Sequence, residues 1–420
     1  MSRLVMKFGG TSVGDVERIA RVARIVAAER APGRGVAVVV SAMSGETDKL
    51  VKLAQAAGGK SENGPPLSGP GFDDEYDVVV SSGEQVTTGL LALALRRIGV
   101  PARSWQNWQI PIRSDSAHGK ARIDSISDEK LGPALDSGEV AVIPGFQAIG
   151  PDDRESTLGR GGSDTSAVAV AAALNAERCD IYTDVDGVYT TDPRIVQKAR
   201  RLEKISYEEM LEMASLGAKV LQTRSVELAM AKRVPVRVLS SFVEPGAPNP
   251  GTLVCGEDEI VEKQVVSGVA YSRDEAKVTL LGVEDHPGVA AEIFGQLAEA
   301  GINVDMIVQS QARHEGRQNI LFTCPEREAA RAVDALESIR GKIGYEDIQI
   351  RRDVAKVSVI GIGMKSQVGV AKTMFTALAQ KGINIEAIAT SEIKISVLID
   401  ASYTELAVRA LHTAYGLDAA

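Results

Sequence analysis

The sequence predicts an α/β fold, with a mainly parallel sheet covered by helices on both faces, followed by two copies of one small α+β module. Three observations predict this. From Leu4 to about Val238, short β-branched runs alternate with amphipathic stretches of helical period. From Val265 onward, one pattern of strand, turn, helix and Gly-Ile-Asn occurs twice. The length of 420 residues exceeds one ordinary core, since domains run ~100–150 residues.

Strands are expected at Leu4–Phe8, Val36–Ser41, Val140–Ile143, Asp180–Asp184 and Val236–Leu239. Val16, Ile19, Val22, Ile25 and Val26 recur at helical spacing. Val86 to Leu95 is apolar nearly all round, which predicts a helix buried on several sides. Parallel sheets of this kind bind ligands beyond the carboxyl ends of their strands, so the residues just after each strand hold the interest. Gly58 to Asp74, rich in Gly, Pro and Ser, reads as a surface loop, with a lid over a site as the sharper alternative.

The repeat is specific. Ala276-Lys277-Val278-Thr279 matches Ala355-Lys356-Val357-Ser358 at an offset of 79. After a two-residue insertion, Gly288-Val289-Ala290 matches Gly369-Val370-Ala371, and Gly301-Ile302-Asn303 matches Gly382-Ile383-Asn384, at an offset of 81. Such a pair is either duplication for stability or a two-fold ligand-binding unit.

Composition narrows the function. The net charge is −9, from 47 Lys+Arg against 56 Asp+Glu, which disfavours a nucleic-acid partner. Aliphatic runs such as Val36 to Val40 are far short of the ~18 residues a membrane helix needs, so no membrane is expected. Met1 to Phe8 has no apolar core long enough for a secretory signal. Cys179, Cys255 and Cys324 are odd in number and widely spaced, which fits a reducing cytoplasm. His118, His286, His314 and His412 have no metal-ligand spacing, and no protein metal site is expected.

Three glycine-rich segments carry the chemistry. No Gly-x-x-x-x-Gly-Lys-Ser/Thr is present, and no Gly-x-Gly-x-x-Gly follows a strand. After the first strand stands Lys7-Phe8-Gly9-Gly10-Thr11-Ser12, where a lysine and free backbone N–H groups suit an anion. The same residues are equally a glycine turn beside a surface lysine. Leu158-Gly159-Arg160-Gly161-Gly162-Ser163-Asp164 precedes an apolar helix from Ala167 to Leu174. Arginine there suits a carboxylate. Asp164 reads as a helix cap, as the orienter of a lysine, or as both. The third segment runs from Tyr182 to Arg194 and holds a turn at Asp186-Gly187; Tyr189 suits a purine, though alone the segment is a turn with a buried aromatic. Lys219 is a further candidate for phosphate charge.

Lys7-Phe8-Gly9-Gly10-Thr11-Ser12-Val13, Val40-Ser41-Ala42-Met43, Ser82-Gly83-Glu84, Gly159-Arg160-Gly161-Gly162-Ser163-Asp164 and Thr183-Asp184-Val185-Asp186-Gly187-Val188-Tyr189 resemble the motif series of the aspartokinase family, in that family's order. The C-terminal repeat resembles its tandem ACT domains. The resemblance covers nearly the whole chain. It implies an α/β/α sandwich of the amino acid kinase type over residues 1–264. Two ferredoxin-like α+β ACT domains, 265–345 and 346–420, would follow, with strands exchanged between them. The implied reaction is ATP + L-aspartate → ADP + 4-phospho-L-aspartate, with Mg²⁺ on the ATP phosphates, as the first step toward lysine, threonine, methionine and diaminopimelate.

By the same resemblance Lys7, Asp164 and Lys219 are catalytic. Lys7, Phe8, Gly9, Gly10, Ser41, Ser163, Thr183, Asp184, Tyr189, Arg194 and Lys219 would bind ATP. Thr47, Glu84, Arg160, Gly161, Gly162 and Ser163 would bind aspartate, Glu84 at its ammonium and Arg160 at a carboxylate. Lysine, threonine or both would inhibit through Asp285, Gly288, Val289, Ala290, Gln309, Asn384, Ile385, Thr390, Ser391 and Glu392. A homodimer through the ACT domains is implied, with a separately started regulatory subunit as the alternative; no Met occurs between Met230 and Met306. A bifunctional enzyme with homoserine dehydrogenase is not expected, because the sequence ends with the second repeat. Glutamate 5-kinase is the nearest competing reading, and the ACT pair argues against it. A non-catalytic amino-acid sensor is the other, and intact Lys7, Arg160, Asp164 and Lys219 argue against that. One stretch departs from the family pattern, Ser104-Trp105-Gln106-Asn107-Trp108-Gln109, and puts the local pocket lining in question.

Overall fold

Strand β1 (Ser2–Phe8) lies at the centre of an eight-stranded sheet because both its faces are apolar. Leu4, Met6 and Phe8 pack on one side with α1 (Val16–Glu29), while Val5 is buried on the other. The computed structural model describes residues 2–31, 33–59, 69, 71–217, 220–260, 264–312, 314 and 316–418. Of the Gly58–Asp74 loop, positions 60–68 and 70 lie outside the described residues. Contacts divide the chain into two units. One comprises Met1–Val188, Arg201–Ser215 and Lys219–Val261; the other comprises Tyr189–Arg200, Leu216–Ala218 and Glu262–Ala420.

In the first unit, β2 (Arg34–Val40) follows α1, and α2 (Glu46–Ala57) and α3 (Asp73–Arg97) follow β2. Next come β3 (Ala102–Ser104), β4 (Ile112–Ser114), β5 (Ile123–Ile126), α4 (Leu131–Asp136), β6 (Val140–Pro144), β7 (Gln147–Ile149) and β8 (Glu155–Thr157). Helix α5 (Gly162–Ala173) leads to β9 (Arg178–Thr183), then β10 (Lys204–Ser206), α6 (Tyr207–Ser215), α7 (Thr223–Lys232), β11 (Val236–Ser240) and β12 (Thr252–Cys255). The main sheet runs β10-β12-β11-β9-β1-β2-β6-β3, with only the β11–β12 pair antiparallel. All five expected strands are in it. The second sheet, β5-β4-β7-β8, was not foreseen, because strands of three or four residues show no readable period.

Two expectations about helices need correction. Val16 opens α1 and is exposed, so only Ile19, Val22, Ala23, Ile25 and Val26 form its buried stripe. Helix α3 is not buried on several sides. Leu91, Ala92 and Leu95 face inward, but Val86 and Leu93 are exposed, because the helix covers a layer with one face only. By length and composition α3 is the one described helix that could cross a membrane. It carries Asp77 and Glu84 into the interior of this unit, as a core helix does. The three cysteines are buried and unpaired.

The second unit holds β13 (Gly268–Ser272), β14 (Ala276–Glu284), α8 (Val289–Glu299), β15 (Asp305–Gln311), β16 (Arg317–Cys324), α9 (Ala329–Ser338), α10 (Arg340–Ile343) and β17 (Asp347–Arg351). It continues with β18 (Val354–Ile360), α11 (Val370–Gln380), β19 (Ala387–Thr390), β20 (Lys394–Asp400) and α12 (Thr404–Ala414). Two four-stranded sheets result, β15-β16-β14-β17 and β13-β18-β20-β19. The repeat is visible in them: α8 and α11 begin and end 81 positions apart. Strand β13 precedes the first copy in sequence yet pairs with β18 of the second, while β17 closes the first sheet.

The copies are held to each other by reciprocal ion pairs. Lys277 of the first reaches Glu386 of the second at 2.7 Å, and the equivalent Lys356 reaches the equivalent Asp305 at 2.8 Å. Lys356 also meets Glu275 at 2.7 Å, and both of these side chains are buried. Burial alone would lower the pKa of the Lys356 ammonium; Glu275 and Asp305 outweigh it and raise the pKa. Removing one partner of a buried pair is strongly destabilising, so Lys356→Ala should cost about 3 kcal/mol in denaturant unfolding of the full chain. A midpoint unchanged from wild type would refute this.

Candidate active site

The carboxyl ends of β1 and β2, the amino ends of α2 and α5 and the middle of α3 line a cavity of about 370 Å³. Its lining includes Lys7, Gly10, Ser41, Thr47, Glu84, Arg160, Gly161, Gly162, Ser163 and Asp164. These residues come from four separate stretches of sequence.

Lys7 is the penultimate residue of β1, paired with Val39 on one side and Ile181 on the other. Its Nζ lies 2.6 Å from Asp164 Oδ1, and both side chains are about nine-tenths buried. Helix α5 has no side-chain cap, and Gly161 occupies its N-cap position. Asp164 is therefore the orienter of Lys7 and not a cap. Gly162 N–H donates to Gly159 O at 2.9 Å and Asp164 N–H to Gly161 O at 3.1 Å, which leaves Ser163 N–H as the one of the first three in α5 without a backbone acceptor among the described residues. A free N–H at a helix start favours an anion. Gly10 has no room for a side chain, since a Cβ would stand 2.9 Å from Ala42 O.

Glu84 comes from the middle of α3, on its inward face. Gly83 beside it lets the helix approach closely, as a Cβ there would lie 2.8 Å from that of Ala42. Ala42 N–H donates to Glu84 Oε1 at 2.9 Å, while Oε2 is buried without a partner among the described residues. Burial pushes the Glu84 carboxyl up to about 7, against the lowering effect of the Ala42 bond. A carboxyl whose folded pKa is raised adds stability only while protonated. The contribution is present below the ordinary value of 4.5 and is lost as pH rises through about 7. Glu84→Gln should thus be more stable than wild type at pH 8, by at most about 3 kcal/mol, and no different at pH 4. Denaturant midpoints at the two pH values would check this; a pH-independent difference would count against it.

Arg160 is exposed and makes no hydrogen bond or ion pair among the described residues. Gly159 and Gly161 on either side adopt φ of 74° and 75°, a region closed to most side chains. Gly162 is equally constrained, with Leu158 Cβ 2.8 Å from where its own Cβ would be.

Other expected residues lie elsewhere. Phe8 is buried in the core and stacks on Tyr182 at 4.6 Å. Gly9 donates to Tyr182 O and does not line the cavity. Thr183 and Asp184 stand at the end of β9, bonded to each other at 3.1 Å, also outside the lining. Tyr189 and Arg194 belong to the second unit, and Arg194 is held by Asp192 at 2.7 Å. Lys219 lies outside the described residues. The departure at 104–109 does not touch the cavity: Trp105 is buried beneath Arg103 and Trp108 is exposed, so the pocket lining is unaffected.

The expected effector residues are all in the second unit. Asp285 and Gly288 lie in the turn into α8, which Val289 and Ala290 open, and Asn384 and Ile385 lie in the turn into β19. Gln309 is on β15 and Thr390 ends β19, followed by Ser391 and Glu392. β15 and β19 are the edge strands of their sheets, and Met306 and Ala387 from them share one apolar cluster.

Sequence reasoning missed Phe146 and Gln222 as lining residues. Phe146 follows β6 and has a φ of 70°, so position just after a strand was its only signal. Gln222 has none; it reaches the cavity because its side chain occupies the space that Gly161 leaves open.

The amino acid kinase family profile matches residues 2–240, and the ACT domain profile matches residues 278–338 and 357–415. An aspartate kinase of Pseudomonas putida is 52% identical over 420 residues, covering 100% of this chain and 98% of its own. The chain belongs to the aspartokinase family. As a member it is an enzyme, an aspartate kinase that uses ATP. Its structure is similar to Escherichia coli aspartokinase III in complex with aspartate and ADP, with a TM-score of 0.80, 28% identity and coverage of 98% of this chain and 99% of that one. The same enzyme in complex with lysine and aspartate gives 0.74 at 29% identity, with 98% of each chain covered. The aspartokinase fold thus brings a lysine, an arginine and a buried glutamate to one cavity from distant stretches of chain.

Proposed function

We propose that this enzyme transfers the γ-phosphoryl group of ATP to the β-carboxylate of L-aspartate, giving 4-phospho-L-aspartate. The observation that carries the reading is the cavity itself. It sets a buried lysine–aspartate pair, a buried carboxylate with a free oxygen and an unpaired arginine around a space with room for a small diacid and a phosphoryl group.

The substrate carboxylate has a pKa of ~3.9 and is already ionised near pH 7, so no general base is needed. Among the described residues no histidine or cysteine lines the cavity. The obstacle is repulsion between two anions, and charge neutralisation and positioning answer it. Lys7, fixed by Asp164, meets the transferring phosphoryl group. Gly10, Ser41 and the N–H of Ser163 at the start of α5 donate to phosphate oxygens. Glu84 takes the α-ammonium of aspartate, Arg160 a carboxylate, and Thr47 and Ser163 add hydroxyl donors. Thr183, Asp184, Tyr189, Arg194 and Lys219 are assigned to the nucleotide by family resemblance alone. Among the described residues no cluster of three metal-ligating side chains occurs, so Mg²⁺ would be held chiefly by ATP phosphates and water.

The catalytic domain is assigned to 1–264 and the two effector modules to 265–345 and 346–420, with strands exchanged: β13 pairs in the sheet of the second module and β17 in that of the first. Feedback inhibition by lysine, threonine or both is assigned to the modules, and a homodimer through them is the expected assembly, with the separate regulatory subunit as its alternative. The unpaired cysteines support a cytoplasmic location. The place of the reaction is the opening step toward lysine, threonine, methionine and diaminopimelate. A hydroxamate assay for the acyl phosphate tests the reaction, with glutamate as control. Product from glutamate and none from aspartate would overturn it. Lysine and threonine added alone and together test the regulation, and no inhibition by any combination would refute it.

A further inference from the structure

The chain that enters the Gly159–Ser163 loop is bonded at each polar group of Thr157 and Leu158. Thr157 N–H and Oγ1–H both donate to Asp77, at 2.9 and 2.6 Å. Thr157 O accepts from Ala121 N at 2.9 Å, and Leu158 N donates to Phe146 O at 2.8 Å. Leu158 O accepts from Arg224 Nη1 at 2.6 Å, while Nη2 of the same guanidinium donates to Ala121 O at 2.9 Å. Asp77 in addition accepts from Gly119 N–H at 3.0 Å and meets His118 Nδ1 at 2.9 Å. One fully buried carboxylate on α3 therefore ties two segments together, 118–119 and 157. They meet where the chain turns toward Arg160, since a Cβ on Gly159 would stand 3.0 Å from Gly119 O.

Arg160 has no support of its own. Its side chain is unbonded among the described residues, and glycines flank it on both sides. Glycine backbone is the least self-determined of all. The backbone position from which the Arg160 side chain projects is therefore set by its anchors, α5 on one side and the Asp77-bound strand on the other.

We propose that Asp77 is a positioning residue for substrate-carboxylate recognition, acting through the 157–160 segment on Arg160. This rests on the reading of Arg160 as the aspartate anchor. It adds a residue outside the cavity, since Asp77 is not among the cavity-lining residues. A displacement of about 1 Å in a binding group costs up to ~10²-fold, which sets the scale of the effect.

The test is a double-mutant cycle read in steady-state kinetics. Asp77→Ala should raise the aspartate KM ~10- to 100-fold and leave the ATP KM within ~3-fold. Asp77→Asn should recover most of the loss. Its carbonyl can take the three donors that converge on Oδ2, and its NH₂ can face the Thr157 hydroxyl, which also accepts. In an Arg160→Ala background, Asp77→Ala should raise the aspartate KM no further, because the two act as one unit. Additive effects, or a folded Asp77→Ala protein with the wild-type aspartate KM, would overturn the proposal. An Arg160→Ala protein with the wild-type aspartate KM would overturn it too, and would place the fault in the reading of Arg160. Should Asp77→Ala not fold, Thr157→Val removes only the hydroxyl bond and carries the same cycle, with coupling supporting the proposal and additivity overturning it.

Discussion

Lys7→Ala is expected to collapse kcat by ~10³-fold, the scale seen when one preorganised transition-state donor is lost. Lys7 is held between two strands of the sheet and by Asp164, so its ammonium needs no reorganisation when charge develops on the phosphoryl oxygens. The aspartate KM should move far less, because the contact matters most in the transition state. A second effect follows from burial. With the cation gone, Asp164 is left 7% exposed and unpaired, which should destabilise the protein by about 3–5 kcal/mol. Turnover must therefore be measured on protein whose folding has been checked by denaturant titration. Lys7→Arg should not rescue, since a planar guanidinium does not fit a site built for a compact ammonium. Near-wild-type turnover in folded Lys7→Ala protein would remove the lysine from its role.

Arg160→Ala should behave in the opposite way. The aspartate KM should rise ~10²- to 10³-fold, the equivalent of about 3–4 kcal/mol for one missing partner of a closed-site ion pair. The ATP KM should change little. Stability should stay within ~0.5 kcal/mol of wild type, because Arg160 is exposed and unpaired before substrate arrives and its removal strands no buried charge. Arg160→Lys should recover only part of the affinity, since an ammonium cannot form the paired hydrogen bonds of a guanidinium. An unchanged aspartate KM would sink the assignment. Together the two alanine variants separate a group that works in the transition state from one that works in binding.

Much of this architecture is legible in the sequence. The five β-branched runs are five neighbouring strands of one sheet, because a strand buried on both faces must be apolar throughout. The internal repeat fixed two equivalent helices to the residue. Short strands such as β4 and β7 left no trace, since three residues cannot display a period. Helix α3 misled, because an apolar face at solvent and one in a core look alike in a periodicity. At the site, Gly159, Gly161 and Gly162 could be found because only glycine takes that conformation and that space. Phe146 and Gln222 could not, as nothing local sets them apart.

The sequence by itself determined the family, the chemical inventory and the order of the motifs, because those reside in side-chain type and local backbone preference. Only the tertiary structure decided which of these groups meet. It paired Lys7 with Asp164 instead of leaving Asp164 as a cap, and raised Glu84 to about 7 by burying it. It handed β13 to the second repeat, and tied Thr157, three residues before Arg160, to Asp77. Distances and desolvation are sums over contacts between residues far apart in the chain, and no local pattern carries them.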